Sequence, residues 1–450
     1  MRKKVLESSI LFVSIVKWLS LASIAGITVG VSTAVFLKAL EGGITFAMGF
    51  SYYYLLLPAA MALSVMIVKY FAPQAEGHGT EKIIEAVHRH SGKINLPVIP
   101  VKLIATVITI SLGGSAGKEG PAAQIGAGLC SALSSLFRFD DRDRKKMVIC
   151  GISAGFAAVF GTPIAGAIFG VEVLFVGAML YDVLLPSFVA GIVGYQVSSA
   201  LGITYFHEPL NFVPVFSSAL FIKVCVGGLF FGLCSLVFIE MLRFFENLSG
   251  RMKLNKIYKA IIGGSVLIAL SLVFSTNYFG LGLDTIKNAV EGESVNSGAF
   301  ILKMLFTSIT LSFGGSGGII TPIFFVGATA GNTFGSMFGL DASLFAAIGM
   351  VGLLAGAANT PISASIMAVE LFGPQIGSYA AVACIISFLM TGHRSVYPSQ
   401  VLALAKSSSI IVPKGQEMKG ISGVEFNLRT KSITGGISKG IKKIMKNKRL

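Results

Sequence analysis

The chain has 450 residues, 54% hydrophobic and 13% charged, with a net charge of +15 and a mean hydropathy of +0.79. Soluble domains carry about 25% charged residues, so half the usual polar coat is missing, which excludes an ordinary water-soluble domain and leaves lipid as the solvent. A spanning helix needs roughly 20 apolar residues, and the chain has room for many.

In chain order, Met1-Arg2-Lys3-Lys4 opens a short basic segment (1–10), expected to be cytoplasmic by the positive-inside rule. A cleaved signal peptide fits poorly, because Glu7 and Lys17 interrupt the first apolar run and apolar sequence resumes repeatedly. Apolar segments follow at 11–37, 53–68, 97–112, 147–176, 183–201, 219–242 and 257–274. The last group covers 300–313, 319–338, 344–372 and 378–390. Their uneven lengths, cut by Gly and Pro, predict discontinuous helices around a site at mid-membrane. From Lys414 onward ten Lys or Arg face two Glu. This basic balance reads as topology rather than nucleic-acid binding, and 407–450 as a cytoplasmic tail too short for a regulatory domain. Five cysteines (130, 150, 225, 234, 384) lie in apolar surroundings without metal-ligand spacing and read as buried thiols.

An internal repeat divides the apolar body (11–406) into halves at about 50–200 and 215–400. Gly113-Gly114-Ser115-Ala116-Gly117-Lys118-Glu119-Gly120-Pro121 returns as Gly314-Gly315-Ser316-Gly317-Gly318-Ile319-Ile320-Thr321-Pro322, with Pro121 and Pro322 201 residues apart. Thr162-Pro163-Ile164 returns as Thr360-Pro361-Ile362, and Glu172 pairs with Glu370 at the same spacing of 198. An odd number of spans per half would invert one half relative to the other.

Each repeated motif is a glycine loop, a proline and an apolar helix. Proline suits a first helical turn, where its missing N–H costs nothing. Such a start exposes free amides and the positive end of the helix dipole, which an anion can satisfy. Four inward-facing starts, at Pro121, Pro163, Pro322 and Pro361, would hold an anion without a full counter-charge, as an ion that must leave requires. Glu119 is the carboxylate within these loops. It can occupy an anion position itself and vacate it on protonation, so it is the candidate gate and proton carrier.

Gly117-Lys118-Glu119-Gly120-Pro121 resembles the Gly-(Lys/Arg)-Glu-Gly-Pro signature of the CLC family of chloride channels and chloride/proton antiporters. Gly318-Ile319-Ile320-Thr321-Pro322 resembles its Gly-x-Phe-x-Pro signature, Gly77-His78-Gly79-Thr80 falls at its first helix-start motif, and Tyr397 resembles the tyrosine closing the pathway from the cytoplasm. The resemblance spans roughly residues 11–406. It implies an all-α membrane protein of two inverted halves, working as a homodimer with one pore per subunit in the cell membrane. It further implies a central chloride held by the Ile319 and Ile320 amides and the Tyr397 hydroxyl. An outer site would lie at the amides of Lys118, Glu119 and Gly120. No cofactor or metal is implied.

Three departures from the family pattern stand out. His78 replaces a serine, and imidazole titrates near neutrality. Ile320 replaces the phenylalanine. Val173 stands where the family's antiporters commonly carry a second, internal glutamate. Glu172 is adjacent but turned about 100° around a helix, and its repeat partner Glu370 gives it a structural reading. Val173 therefore favours passive, glutamate-gated chloride conduction, with chloride/proton exchange the alternative, in which water or His78 bridges the gap. A fluoride-selective relative is a further reading. An intramembrane enzyme lacks its signatures, with no His-Glu-x-x-His or Gly-x-Ser-x-Gly. An organic-anion transporter would need more buried cations than the sequence offers beyond Lys118.

Overall fold

The computed structural model describes residues 2–210, 217–421 and 425–426. The first half comprises α1 (Arg2–Met48), α2 (Leu57–Phe71), α3 (Thr80–Arg89), α4 (Val98–Ser111), α5 (Glu119–Leu136), α6 (Asp141–Phe160), α7 (Pro163–Glu172) and α8 (Leu184–Ala200). The second comprises α9 (Ser218–Arg251), α10 (Lys256–Val273), α11 (Leu283–Val290), α12 (Ala299–Ser312), α13 (Ile320–Met337), α14 (Ala342–Ala358), α15 (Pro361–Phe372) and α16 (Gly377–Met390). Among the described residues, five helices are long and apolar enough to cross a membrane, and shorter apolar helices accompany them.

The halves match in detail. Asp140 and Asp341, 201 residues apart, cap α6 and α14 by accepting the Asp143 and Leu344 amides at 2.8 Å. Left-handed residues end those helices: Gly161 at φ 72° and Asn359 at φ 58°. These residues cut the apolar runs 147–176 and 344–372 into two helices apiece, the second of each starting at Pro163 or Pro361, where the sequence places a helix start. The C-terminal end of α2 meets the N-terminal end of α10, where Lys256 bonds Glu76 at 2.6 Å through the segment after α2. Equivalent helices therefore run in opposite directions, as inverted halves require.

Helices α5, α6, α13 and α14 form the centre and, beyond the charged first turns of α6, are apolar on nearly every side because their bodies are buried. Their glycines permit backbone contact. A Cβ on Gly126 would stand 2.7 Å from the Gly151 carbonyl oxygen, and one on Gly327 2.4 Å from that of Gly349. Four cysteines are buried and free; Cys225 on α9 is only partly buried. Lys17, the charge interrupting the first apolar run, pairs with Asp143 at the start of α6.

The starts of α7 and α15 do not face an anion. Glu370 accepts the Ile164 and Ala165 amides at 3.0 and 2.8 Å, and Glu172 accepts those of Ile362 and Ser363 at 3.1 and 2.8 Å. The reading of four inward-facing starts is thus corrected: those at Pro163 and Pro361 are filled by carboxylates exchanged between the halves. Glu172 is structural, as its repeat partner suggested.

Residues 407–421, placed by the sequence in the tail, fold back on the helical body. Parallel strands β1 (Phe175–Val176) and β2 (Val401–Leu402) pair, Glu417 bridges Val401, and Met418 is buried. Gln400 ties this segment to the Val173 and Ala358 carbonyls at 2.7 and 2.8 Å. The basic run 442–449 lies outside the described residues.

Glu172→Ala leaves two amides at the start of α15 without acceptors, and each charged hydrogen bond contributes about 1.5–3 kcal/mol. We expect stability to fall by about 2–4 kcal/mol, read as a lower unfolding temperature in detergent, with Glu370→Ala behaving alike. Unchanged unfolding in both variants would contradict the exchanged caps.

Candidate functional site

The two glycine motifs meet at the molecular centre. The Gly117 amide donates to the Gly318 carbonyl at 2.7 Å, and the Gly318 amide to the Gly117 carbonyl at 2.6 Å. Threonines one helix away complete the frame: Thr310 Oγ1 accepts the Ser115 amide and Thr109 Oγ1 accepts the Ser316 amide, both at 3.1 Å. Helices α5 and α13 therefore begin side by side. Each starts two residues before its proline, so Pro121 and Pro322 occupy the third helical position rather than the first. Amides there still lack intrahelical partners, so the physical reason for proline holds.

Glu119, the first residue of α5, turns its carboxylate onto the start of α13. Oε2 accepts the Thr321 amide at 3.1 Å, and Oε1 accepts the Thr321 hydroxyl at 2.5 Å. The carboxyl group is 1% exposed. Lys118 lies within electrostatic reach of Glu119 and Glu41, but the carboxylate's hydrogen bonds go to Thr321. Gly117 makes room: a Cβ there would stand 2.6 Å from Glu119 Oε2 and 2.9 Å from Thr321 Oγ1. The carboxylate thus lies against the Ile319-Ile320-Thr321 start, where the sequence places the central anion.

The loop Gly77-His78-Gly79 closes the site from another side. Gly77 and Gly79 adopt φ 84° and 78°, and a Cβ on Gly79 would fall 2.4 Å from the Gly120 carbonyl oxygen. The fully buried Lys102 on α4 holds this loop through the Ala75 and Gly77 carbonyls at 3.2 and 2.5 Å. Its repeat partner Lys303 does the same for Tyr278 and Gly280 at 3.1 and 2.8 Å. His78 is 8% exposed, with Nδ1 buried and unpaired. Tyr397 is wholly buried, and its hydroxyl interacts with that of Thr80 without completing a hydrogen bond. It lies within electrostatic reach of Glu119 and Glu81. Glu81 fixes the tyrosine loop by accepting the Ser399 amide at 3.0 Å and its hydroxyl at 2.5 Å.

A cavity of about 630 Å³ adjoins this centre, and its lining includes His78, Ser316, Lys69, Glu76, Glu246 and Lys256. The predicted residues Gly117, Lys118, Glu119, Gly120, Pro121, Gly318, Ile319, Ile320 and Pro322 lie together, with His78 and Tyr397 beside them. Thr321 was missed as a functional residue. Its signal was a hydroxyl in the variable slot of the second motif, where the first motif has Gly120. Val173 is buried and apolar, its carbonyl engaged by Gln400.

Two helix starts held side by side, one of them donating to a buried carboxylate, define a membrane protein that handles a small anion. The voltage gated chloride channel family matches residues 60–392. The "Chloride/fluoride channel protein" of Pseudomonas syringae pv. tomato is 35% identical over 399 residues, covering 87% of this chain and 88% of that one. A crystal structure of a CLC-type fluoride/proton antiporter has a TM-score of 0.82 at 28% identity, over 86% of this chain and 98% of the other. A slow cyanobacterial chloride/proton antiporter has a TM-score of 0.72 at 21% identity, over 83% and 94%. The chain belongs to the voltage-gated chloride channel, or CLC, family, and it is an anion-transporting membrane protein of that fold.

Thr321→Val keeps the amide but removes the shorter bond to Glu119. The carboxylate then competes less well for the start of α13, and we expect anion affinity to rise roughly tenfold in titration calorimetry. Tyr397→Phe deletes only the unpaired hydroxyl and should weaken binding in the same assay. If neither variant changes affinity, the anion does not bind here.

Proposed function

We propose that the protein exchanges a small halide, fluoride in preference to chloride, for protons, with Glu119 as the proton carrier. The observation that carries this reading is the carboxylate lodged on the start of α13 through Thr321. A carboxylate and an anion that use the same donors cannot both occupy them, so arrival of the anion drives the carboxylate out. Outside that cradle it takes a proton, and protonation in turn frees the site. That mutual exclusion is the linkage that couples two ions. Two similar proteins whose names carry fluoride support the choice of fluoride.

The reading includes a homodimer with a separate pathway in each subunit, in the cell membrane, with both termini cytoplasmic. Lys69, Lys256 and Lys259 on the cavity wall support a cytoplasmic opening for it under the positive-inside rule. No bond in the substrate is made or broken, so the protein is a transporter rather than an enzyme. Passive conduction is the second reading, favoured by Val173, which cannot hold a proton.

Sealed proteoliposomes separate the two. An imposed fluoride gradient should drive protons uphill, a chloride gradient should do so more weakly, and Glu119→Gln should pass anions without protons and without dependence on external pH. Anion flux in the parent with no proton movement would sink the exchange reading and leave a channel.

A further inference from the structure

An exchanger of this design must bring protons to Glu119 from the cytoplasmic side, and Val173 offers no station. We propose that Glu246 and His78 form that route, a deepening that rests on the exchange reading above. Glu246 lies near the end of α9, half exposed at the cavity, and its Oε1 stands 3.8 Å from His78 Nε2. The imidazole is almost wholly buried. Its second nitrogen, Nδ1, has no partner and is shielded from solvent. The His78 carbonyl packs on Gly120, the neighbour of Glu119: a Cβ on Gly120 would meet that oxygen at 2.1 Å. One ring thus has a nitrogen near a half-exposed carboxylate and another buried without a partner. A proton relay requires that division, and a structural histidine does not.

The proton balance is simple. Protonated Glu246 gives its proton to Nε2 of the neutral, Nδ1-protonated ring, leaving a carboxylate and an imidazolium. The imidazolium releases the Nδ1 proton, through water in the site, to the displaced Glu119 carboxylate. The ring, now protonated at Nε2 alone, turns about its side-chain bonds so that Nδ1 meets Glu246 and Nε2–H the site; a second proton taken up at Nδ1 and released from Nε2 restores the starting tautomer, and the ring turns back. No electron moves and no heavy-atom bond changes.

The charges around the ring fit this task. Glu246 faces it from α9, Glu81 lies within electrostatic reach on α3, and Glu119 lies beyond Gly120 on α5. Tyr397 faces the site from its loop. The cations nearby are already engaged: Lys102 by the Ala75 and Gly77 carbonyls, Lys256 by Glu76, and Lys259 by the Ser249 carbonyl. Lys69 lies over the Tyr70 ring. A transient imidazolium is thus faced by the Glu246 and Glu81 carboxylates, against the ammonium of Lys102 held at the preceding residue.

The test uses purified full-length protein in sealed liposomes, with fluoride-driven proton uptake, fluoride binding and turnover in heavy water measured on the same samples. Glu246→Gln, at an exposed position that tolerates substitution, should slow proton movement roughly tenfold with fluoride affinity unchanged. Glu246→Asp should restore it to within about twofold. His78→Asn, checked for folding by its unfolding temperature, should show the same loss and abolish the solvent isotope effect. A parent that pumps protons while Glu246→Gln pumps equally fast overturns the relay alone. A parent that moves fluoride and no protons overturns the exchange reading, and the relay with it.

Discussion

Two hydrogen bonds between glycines, Gly117 to Gly318 and back, set the geometry on which everything else depends. They place α5 and α13 at one point with their unpaired amides side by side. Neither glycine tolerates a side chain, because the other strand, the carboxylate and the next helix start already fill the space. The threonine bonds from α4 and α12 repeat the relation on both sides of the bridge, so it is a symmetry element rather than a local accident.

From that centre the two halves diverge in chemistry while keeping one backbone. The first motif carries a carboxylate where the second has Ile320, and the second carries a hydroxyl where the first has Gly120. The pair Glu119 and Thr321 is thus what remains after symmetry is broken: one half supplies an acceptor, the other a donor, and the anion competes for the donor. Lys102 and Lys303 show the opposite behaviour, with the same residue and the same carbonyl partners kept in both halves. Their shared task is to hold glycine turns, which neither half can omit.

Much of this was legible in the sequence because Gly and Pro mark backbone requirements that no other residue meets. The paired motifs, the repeat and the place of Glu119 followed from spacing alone. What was not legible is contact between distant segments. Nothing in Thr-Pro-Ile says that its free amides go to Glu370 rather than to an ion, since both solutions satisfy the same donors. Thr321 was hidden for a related reason: its hydroxyl matters only once Glu119 has turned towards it. The cuts at Gly161 and Asn359 were legible from Pro163 and Pro361, which the sequence marks as helix starts inside the apolar runs. The fold-back of 407–421 was hidden by its polar, loop-like composition.

The exchanged carboxylates also bear on how the chain is made. When α7 enters the membrane, Glu370 lies about two hundred residues downstream and does not yet exist. Bare amides in lipid cost several kcal/mol each, so the first half must wait, half-solvated or shielded by other factors, for its cap. The second half meets no such delay, because Glu172 is already in place to receive α15. Assembly therefore has a direction: the later half docks on the earlier one and completes it, and the anion site comes into being only at that closing step.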